Sequence, residues 1–201
     1  GNGINIFNQF EEFGNAIWHY TQTGGIVDDV FQQIRKPNSR LAGYVSATGS
    51  AGTIAAGDYL RTIAPSVRVI ATEALQCPTL LRNGFGAHRI EGIGDKHVPW
   101  IHNVRNTDMI AAIDDEACMS LMRLFNEEAG QDFLRTQGVK PEVLNQLPLA
   151  GISSICNLVA AIKAAKYYEF DERDIIFLPM TDSMDLYASR KQELVDEKGS
   201  Y

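Results

Sequence analysis

"LAGYVSATGSAGTIAAGDYL", residues 41–60, passes from an apolar run through a stretch of small residues into a helix-like segment. An apolar run that continuous suits a strand covered on both faces. Between run and helix stand Gly49, Ser50, Ala51, Gly52 and Thr53, with side chains small enough for their amides to approach a ligand closely. A strand that turns into a helix through such a loop offers an anion free N–H groups and the positive end of a helix dipole. Three phosphate loops compete for the segment. A triphosphate loop needs Lys and Ser or Thr after its last glycine, whereas Gly52 is followed by Thr53 and Ile54. A dinucleotide or methyl-donor loop needs GxGxxG and an acidic residue ending the next strand; Glu73 ends "VRVIATE", but the glycine spacing is wrong. A monophosphate cup, built from the amides of 49–53 and the hydroxyls of Ser50 and Thr53, fits without repair. A tight turn with no ligand is the plain alternative, because small residues also pack helices onto sheets.

The same alternation recurs along the chain. "VRVIATEA" (67–74), "DMIAAI" (108–113) and "DIIFLPM" (174–180) read as buried strands, and helical periodicity follows over 52–64, 115–128 and 153–166. The pattern predicts an α/β fold: a three-layer sandwich with a mostly parallel, twisted sheet. Asp114 is placed to cap the helix at 115–128, whose apolar stripe is Ala117, Leu121, Leu124 and Phe125 and whose end is set at Gly130. Ser153 or Ser154 caps the next helix, with Ile155, Leu158, Val159 and Ile162 facing the core. Residues 131–150 read as a surface insertion with a short helix from Pro141, and 1–201 as one domain.

A net charge of −7, with Lys and Arg dispersed, argues against nucleic acid or an anionic membrane as partner. Cys77, Cys118 and Cys156 form neither a disulfide framework nor a thiolate metal site, which points to no metal and to the reducing cytoplasm. No basic-plus-apolar leader opens the chain and no apolar run reaches a bilayer span, so a soluble protein is expected.

Five stretches in order, "FNQFEEFGNAIWHYTQTGGIVDDVFQQI", "VIATEALQCPTL", "HRIEGIGDKHVPW", "LAGISSICNLVAAIKAA" and "IIFLPMTDSMDLYASR", together with the glycine loop, resemble the fold-type II pyridoxal-phosphate enzymes, in particular the cysteine synthase and cystathionine β-synthase branch. The resemblance covers nearly the whole chain. It implies the large cofactor domain of a tryptophan-synthase-β-like fold, with pyridoxal 5'-phosphate as cofactor and β-elimination or β-replacement on a serine- or cysteine-type amino acid as reaction. It assigns Gly49, Ser50, Ala51, Gly52 and Thr53 to the cofactor phosphate, Gly92, Ile93 and Gly94 to the loop beside its reacting face, Ser183 to the pyridine nitrogen, and Gln9 to the substrate carboxylate. A hydroxyl partner for the ring nitrogen does not enforce a protonated ring as a carboxylate would, which makes a weaker electron sink; Asp182 stands next to it. His19 and His88 match positions with no catalytic role.

The chain departs from the family at Asp95, Lys96 and His97, read as a solvated loop rather than a substrate-selecting mouth, and this leaves substrate identity open. The Schiff-base lysine of the family lies far before the phosphate loop, in a motif that no stretch before Ser46 matches; the Ser189-Arg190-Lys191 run is a solvated stretch. No catalytic residue is therefore expected in this chain, which resembles a fragment whose N-terminal half is missing and is inactive alone. Such enzymes are homodimers. Two other readings stand beside the enzyme: a non-catalytic module that binds a phosphate ligand or a partner, and a nucleotide or methyl-donor fold resting on Glu73.

Overall fold

In the computed structural model, which describes residues 3–5 and 7–200, the chain opens with α1 (Phe13–Trp18), a π-helical turn (His19–Thr23) and α2 (Gly24–Ile34). There follow β1 (Arg40–Ala47), α3 (Ala55–Ile63), β2 (Arg68–Ala74), the single turn α4 (Thr79–Arg82) and β3 (Met109–Ile113). Then come α5 (Asp115–Asn126), α6 (Glu128–Thr136), the short α7 (Pro141–Leu144), α8 (Ile152–Tyr167), β4 (Asp174–Phe177) and α9 (Ala188–Lys198). The four strands form one wholly parallel sheet in the order β3-β2-β1-β4. Parallel strands cannot be joined by hairpins, so helices cover both faces and the strands must be apolar throughout, as the sequence pattern required.

Side chains alternate between the two faces as strand geometry dictates. Val45, Ile70 and Ile113 pack with α5 and α8 in the larger core. Tyr44, Val69 and Ala71 turn to the other side, against α2 and α3 and the residues around them. From β1 the chain moves to β2 on one side, while β4 pairs with β1 on the other. The strand order therefore reverses between β1 and β4, and the loops leaving their carboxyl ends diverge to open a crevice, the usual place for a ligand in an open α/β sheet.

The helices occur where periodicity places them, but their buried faces differ from the expected stripes. In α5 the buried apolar residues are Cys118, Met119, Met122 and Phe125, while Ala117 is exposed and Leu121 and Leu124 are half-buried. In α8 the sheet is met by Ile152, Ile155, Cys156, Ala160, Ala161 and Ala164, and Ile162 is 48% exposed. A helix lying close over a parallel sheet favours small side chains at the contact, so the alanines face inward and the larger β-branched residues lie at the flank. Asp114 caps α5 as expected, accepting from the Glu116 amide at 3.1 Å.

Gly130 does not end α5. The break comes at Glu127, whose backbone is extended and whose carboxylate turns back onto Arg123. Gly130 instead sits inside α6, pressed on the preceding helix: a Cβ there would lie 2.5 Å from the Leu124 carbonyl oxygen and 2.7 Å from its Cα. Residues 131–150 hold the rest of α6, α7 and a 3-10 turn, with Leu144 buried. Among the described residues no helix is long and apolar enough to cross a membrane.

Candidate functional site

A cleft of about 270 Å³ opens at the switch point. Its floor is the loop from β1 to α3, and one wall is formed by the start of α8 and the segment after β4. Residues 92–94 and the N-terminal segment around Gln9, Asn15 and His19 close the other sides.

The floor has the chemistry of an anion cup. Ala51 adopts φ +60°, a left-handed conformation that a non-glycine residue rarely takes and that turns successive N–H groups toward a common point. Among the described residues the backbone amides of 49–54 donate to no protein acceptor, although Ala51, Gly52 and Ile54 are buried. Buried N–H groups are nearly always paired in native proteins, so unpaired amides grouped around one concavity mark a place for an acceptor from outside the chain. The scaffold beneath is fixed: Tyr44 donates its hydroxyl to the Thr53 carbonyl at 2.9 Å, and the Ser46 and Thr53 hydroxyls share a hydrogen bond of 2.7 Å. Asn15 reaches the Ser50 hydroxyl at 3.5 Å.

The second glycine loop lies directly on the cup. Gly92 and Gly94 have φ of +81° and +88°, and the Gly94 amide donates to the Thr48 carbonyl at 3.3 Å. A Cβ on Gly94 would meet His88 Nε2 at 2.7 Å, so glycine is required there both by conformation and by space. Asn157, which no sequence stripe singled out, ties the two diverging strands together. Its side-chain oxygen accepts from the Ala47 amide at 2.6 Å and its amide group donates to the Pro179 carbonyl at 2.9 Å.

The start of α8 is capped from elsewhere in the chain. Asp182 accepts from the amides of Ser153 (3.1 Å) and Ser154 (3.2 Å) and from their hydroxyls at 2.9 and 2.6 Å, with Tyr187 adding its hydroxyl at 2.9 Å. Neither serine is the N-cap, which is Gly151; a carboxylate from the segment after β4 does that work. Burial raises the Asp182 pKa, but the hydrogen bonds from Ser154, Tyr187 and Ser153 together outweigh it and hold the carboxyl below its ordinary range.

The structure thus brings together Gln9, Gly49, Ser50, Ala51, Gly52, Thr53, Gly92, Ile93 and Gly94 around one cleft. Ser183 does not line it. Its hydroxyl starts a 3-10 turn, accepting from the Asp185 amide at 3.4 Å and meeting the Asp185 carboxylate at 3.3 Å. The hydroxyls that line the wall at this end are those of Thr181 and Ser153. Glu73 is also accounted for: it is 2% exposed and accepts from the Leu80 and Leu81 amides at 2.8 and 2.9 Å, so its carboxylate caps α4 and is not offered to a ribose. His19, in the π-helical turn, lines the cleft with Nδ1 2.8 Å from the Thr23 hydroxyl, and burial lowers its pKa. Lys96 and His97 are exposed, Lys96 lying over the Phe85 ring. Arg190 is ion-paired to Glu91 and Glu193, and the Lys191 ammonium donates to the Asn126 carbonyl at 3.3 Å, away from the cleft.

No family model matches the chain. Among curated proteins it is 25% identical over 185 residues to cysteine synthase B of Campylobacter jejuni, covering 92% of this chain and 53% of that protein. It is 26% identical over 179 residues to cystathionine beta-synthase of Apis mellifera, covering 87% of this chain and 31% of the other. Among solved structures, the hydrogen sulfide-producing enzyme of Fusobacterium nucleatum superposes with a TM-score of 0.70 at 23% identity, over 90% of this chain and 48% of that one. The O-acetylserine dependent cystathionine beta-synthase of Helicobacter pylori gives 0.68 at 26% identity, over 90% and 51%. The chain is therefore related to cysteine synthases and cystathionine beta-synthases and has the fold of such enzymes, as the five motifs implied. It spans about half the length of the first relative and about a third of the second.

Proposed function

We propose that this chain is the cofactor-holding part of a pyridoxal 5'-phosphate-dependent enzyme that carries out β-elimination or β-replacement on a serine- or cysteine-type amino acid. The observation that carries the reading is the cup of unpaired amides at 49–54, set at the switch point of a sheet shared with the relatives named above. Those amides and the Ser50 hydroxyl hold the phosphate. When bound, the cofactor supplies an electron sink for negative charge at the substrate's α-carbon. Gln9, at the rim, donates its side-chain amide to the substrate carboxylate without adding a charge. Gly92 and Gly94 leave the cofactor face uncovered, and Thr181 takes the place at the ring nitrogen expected of Ser183.

The amine that secures the cofactor covalently comes from outside these residues, since no lysine lines the cleft among the described residues. The rest of the enzyme and a second copy of it have a surface to cover: Phe13, Ile17 and Trp18 of α1 and Ile26 and Ile34 of α2 are each more than half exposed. Buried, unpaired Cys77, Cys118 and Cys156 fit a reducing compartment, the cytoplasm. The same lack of a lysine supports a second reading, a module that holds a phosphate ligand without turnover.

The test is an absorbance titration of the 201-residue chain with pyridoxal 5'-phosphate and with pyridoxal. Charge-assisted bonds to the phosphate make the ester bind at least about tenfold more tightly, and inorganic phosphate displaces it. Equal affinity for the two compounds refutes the cup. Borohydride reduction of the chain purified together with the polypeptides that accompany it in its source then separates the two readings: label on a second polypeptide identifies the enzyme, and bound but unlabelled cofactor identifies the module.

A further inference from the structure

We propose that residues 7–12 form a strap over the mouth of the cleft and that Trp100 is its latch, so that a phosphate-bearing ligand enters and leaves when the Trp100 contact opens. The latch stands on contacts outside the cleft; the identity of the ligand rests on the function proposed above.

The strap is complete in itself. The Phe10 amide donates to the Asn8 side-chain oxygen at 3.1 Å, and the Glu11 and Glu12 amides donate to the Asn8 carbonyl at 3.2 and 3.0 Å. A turn whose hydrogen bonds are internal in this way moves as one piece. Gln9 and Phe10 line the cleft from it, and both are exposed. Among the described residues, one hydrogen bond joins 7–12 to a part of the chain beyond α1: the Trp100 indole N–H donates to the Glu11 carbonyl at 3.2 Å. The Phe13 ring meets the same indole edge-on, with centroids 6.0 Å apart.

Trp100 itself is a fixed post. It occupies the second position of a turn closed by the His102 amide on the Pro99 carbonyl at 2.9 Å. Pro99 before it and Ile101 after it are buried, Ile101 in the cluster that holds Ala16 of α1 and Ala51 and Ile54 at the floor. Upstream, the Gly94 amide bonded to Thr48 ties the same segment to the cup. The strap therefore hangs from the start of α1 at one end and from a single side-chain contact at the other. That contact is exposed, Trp100 at 73% and Phe13 at 52%. A hydrogen bond and an aromatic edge contact in water each shift an equilibrium only a few-fold, enough to favour closure and little enough to be undone at each passage. Trp100 ends the stretch "GIGDKHVPW", where the sequence departs from the family pattern at 95–97.

The experiment follows pyridoxal 5'-phosphate binding to the 201-residue chain by stopped-flow absorbance, with release started by excess inorganic phosphate. Trp100→Phe keeps a ring and loses the N–H donor; it raises the association and dissociation rates by about threefold, and Trp100→Ala, which loses both contacts, raises them by about tenfold. The amides of 49–54, which set the affinity, are untouched, so the two rates rise together and the dissociation constant stays within about twofold. Phe13→Leu has no further effect in the Trp100→Ala background, because the two residues form one contact. Unchanged rates in Trp100→Ala, or a dissociation constant raised with the association rate unaltered, overturn the latch and leave the cup standing. A second readout needs no ligand. Trp18→Phe makes Trp100 the chain's only tryptophan, and its fluorescence anisotropy then decays with the whole chain, a nanosecond component appearing when Phe13→Leu is added. Free nanosecond rotation before that change, or none after it, also overturns the latch. Absence of phosphate-competable binding overturns the cup, and the latch is then decided by the anisotropy alone.

Discussion

Replacing Asp182 by alanine tests how much of the site rests on one side chain. The carboxylate accepts from two helix amides, two serine hydroxyls and Tyr187. Loss of the cap on α8 costs about 1 kcal/mol. The Ser153 and Ser154 hydroxyls, 5% and 0% exposed, then stand buried without their acceptor, at roughly 1–3 kcal/mol each before neighbours relax. The expected destabilisation is about 3–5 kcal/mol for Asp182→Ala, and about half that for Asp182→Asn, which keeps one acceptor oxygen. Urea unfolding followed by the fluorescence of Trp18 and Trp100 measures it. The pH dependence carries a sign as well. The folded state lowers the Asp182 pKa, so its contribution is complete above the ordinary carboxylate range and is lost as pH falls through the lower, folded value. The gap between wild type and Asp182→Ala is therefore widest at neutral pH and narrows in acid. An alanine variant within about 0.5 kcal/mol of wild type, or a gap unchanged on acidification, refutes the account of the cap.

Gly130→Ala drives a Cβ to 2.5 Å from the Leu124 carbonyl, and because backbone cannot swing aside the expected loss is about 2–3 kcal/mol in the same denaturation assay. Asn157→Ala unpairs the Ala47 amide and the Pro179 carbonyl where β1 and β4 diverge; it costs about 2 kcal/mol and weakens pyridoxal 5'-phosphate binding in the absorbance titration. Gly94→Ala combines a φ of +88° with a 2.7 Å clash on His88, for about 1–3 kcal/mol and a loss of cofactor affinity larger than that of its stability-matched controls.

The strands were legible because a parallel sheet buries both faces of its strands: "LAGYV" and most of "VRVIATEA" are apolar, and 41–46 and 69–74 are buried without alternation, Thr72 and Glu73 included. The helix faces were less so. Counting Leu and Ile favours Leu121 and Ile162, yet the buried places go to Met119 and Met122 of α5 and to the alanines of α8, since closeness of approach, and not hydrophobicity, decides which side packs inward. The cup could be read from small residues in a row, because amides need only to be uncovered. The wall could not, since Ser153 and Ser154 meet Asp182 only in the fold, across nearly thirty residues of chain. Ser183 and Thr181 differ by two positions, a shift that motif matching does not resolve, and it is Thr181 that lines the cleft.

Two helices begin at the cleft, and either could attract an anion by its dipole. At α8 the protein supplies the negative charge itself: Asp182 occupies the Ser153 and Ser154 amides, so a phosphate there would meet a carboxylate. At α3 the preceding amides are left without a protein partner and Asp58, the acidic side chain of its first turn, is engaged by Asn106. One internal carboxylate thus does two things. It closes α8 to anions, which leaves the loop at 49–54 as the anion-facing end of the cleft, and it gathers the Ser153, Ser154 and Tyr187 hydroxyls at the start of α8.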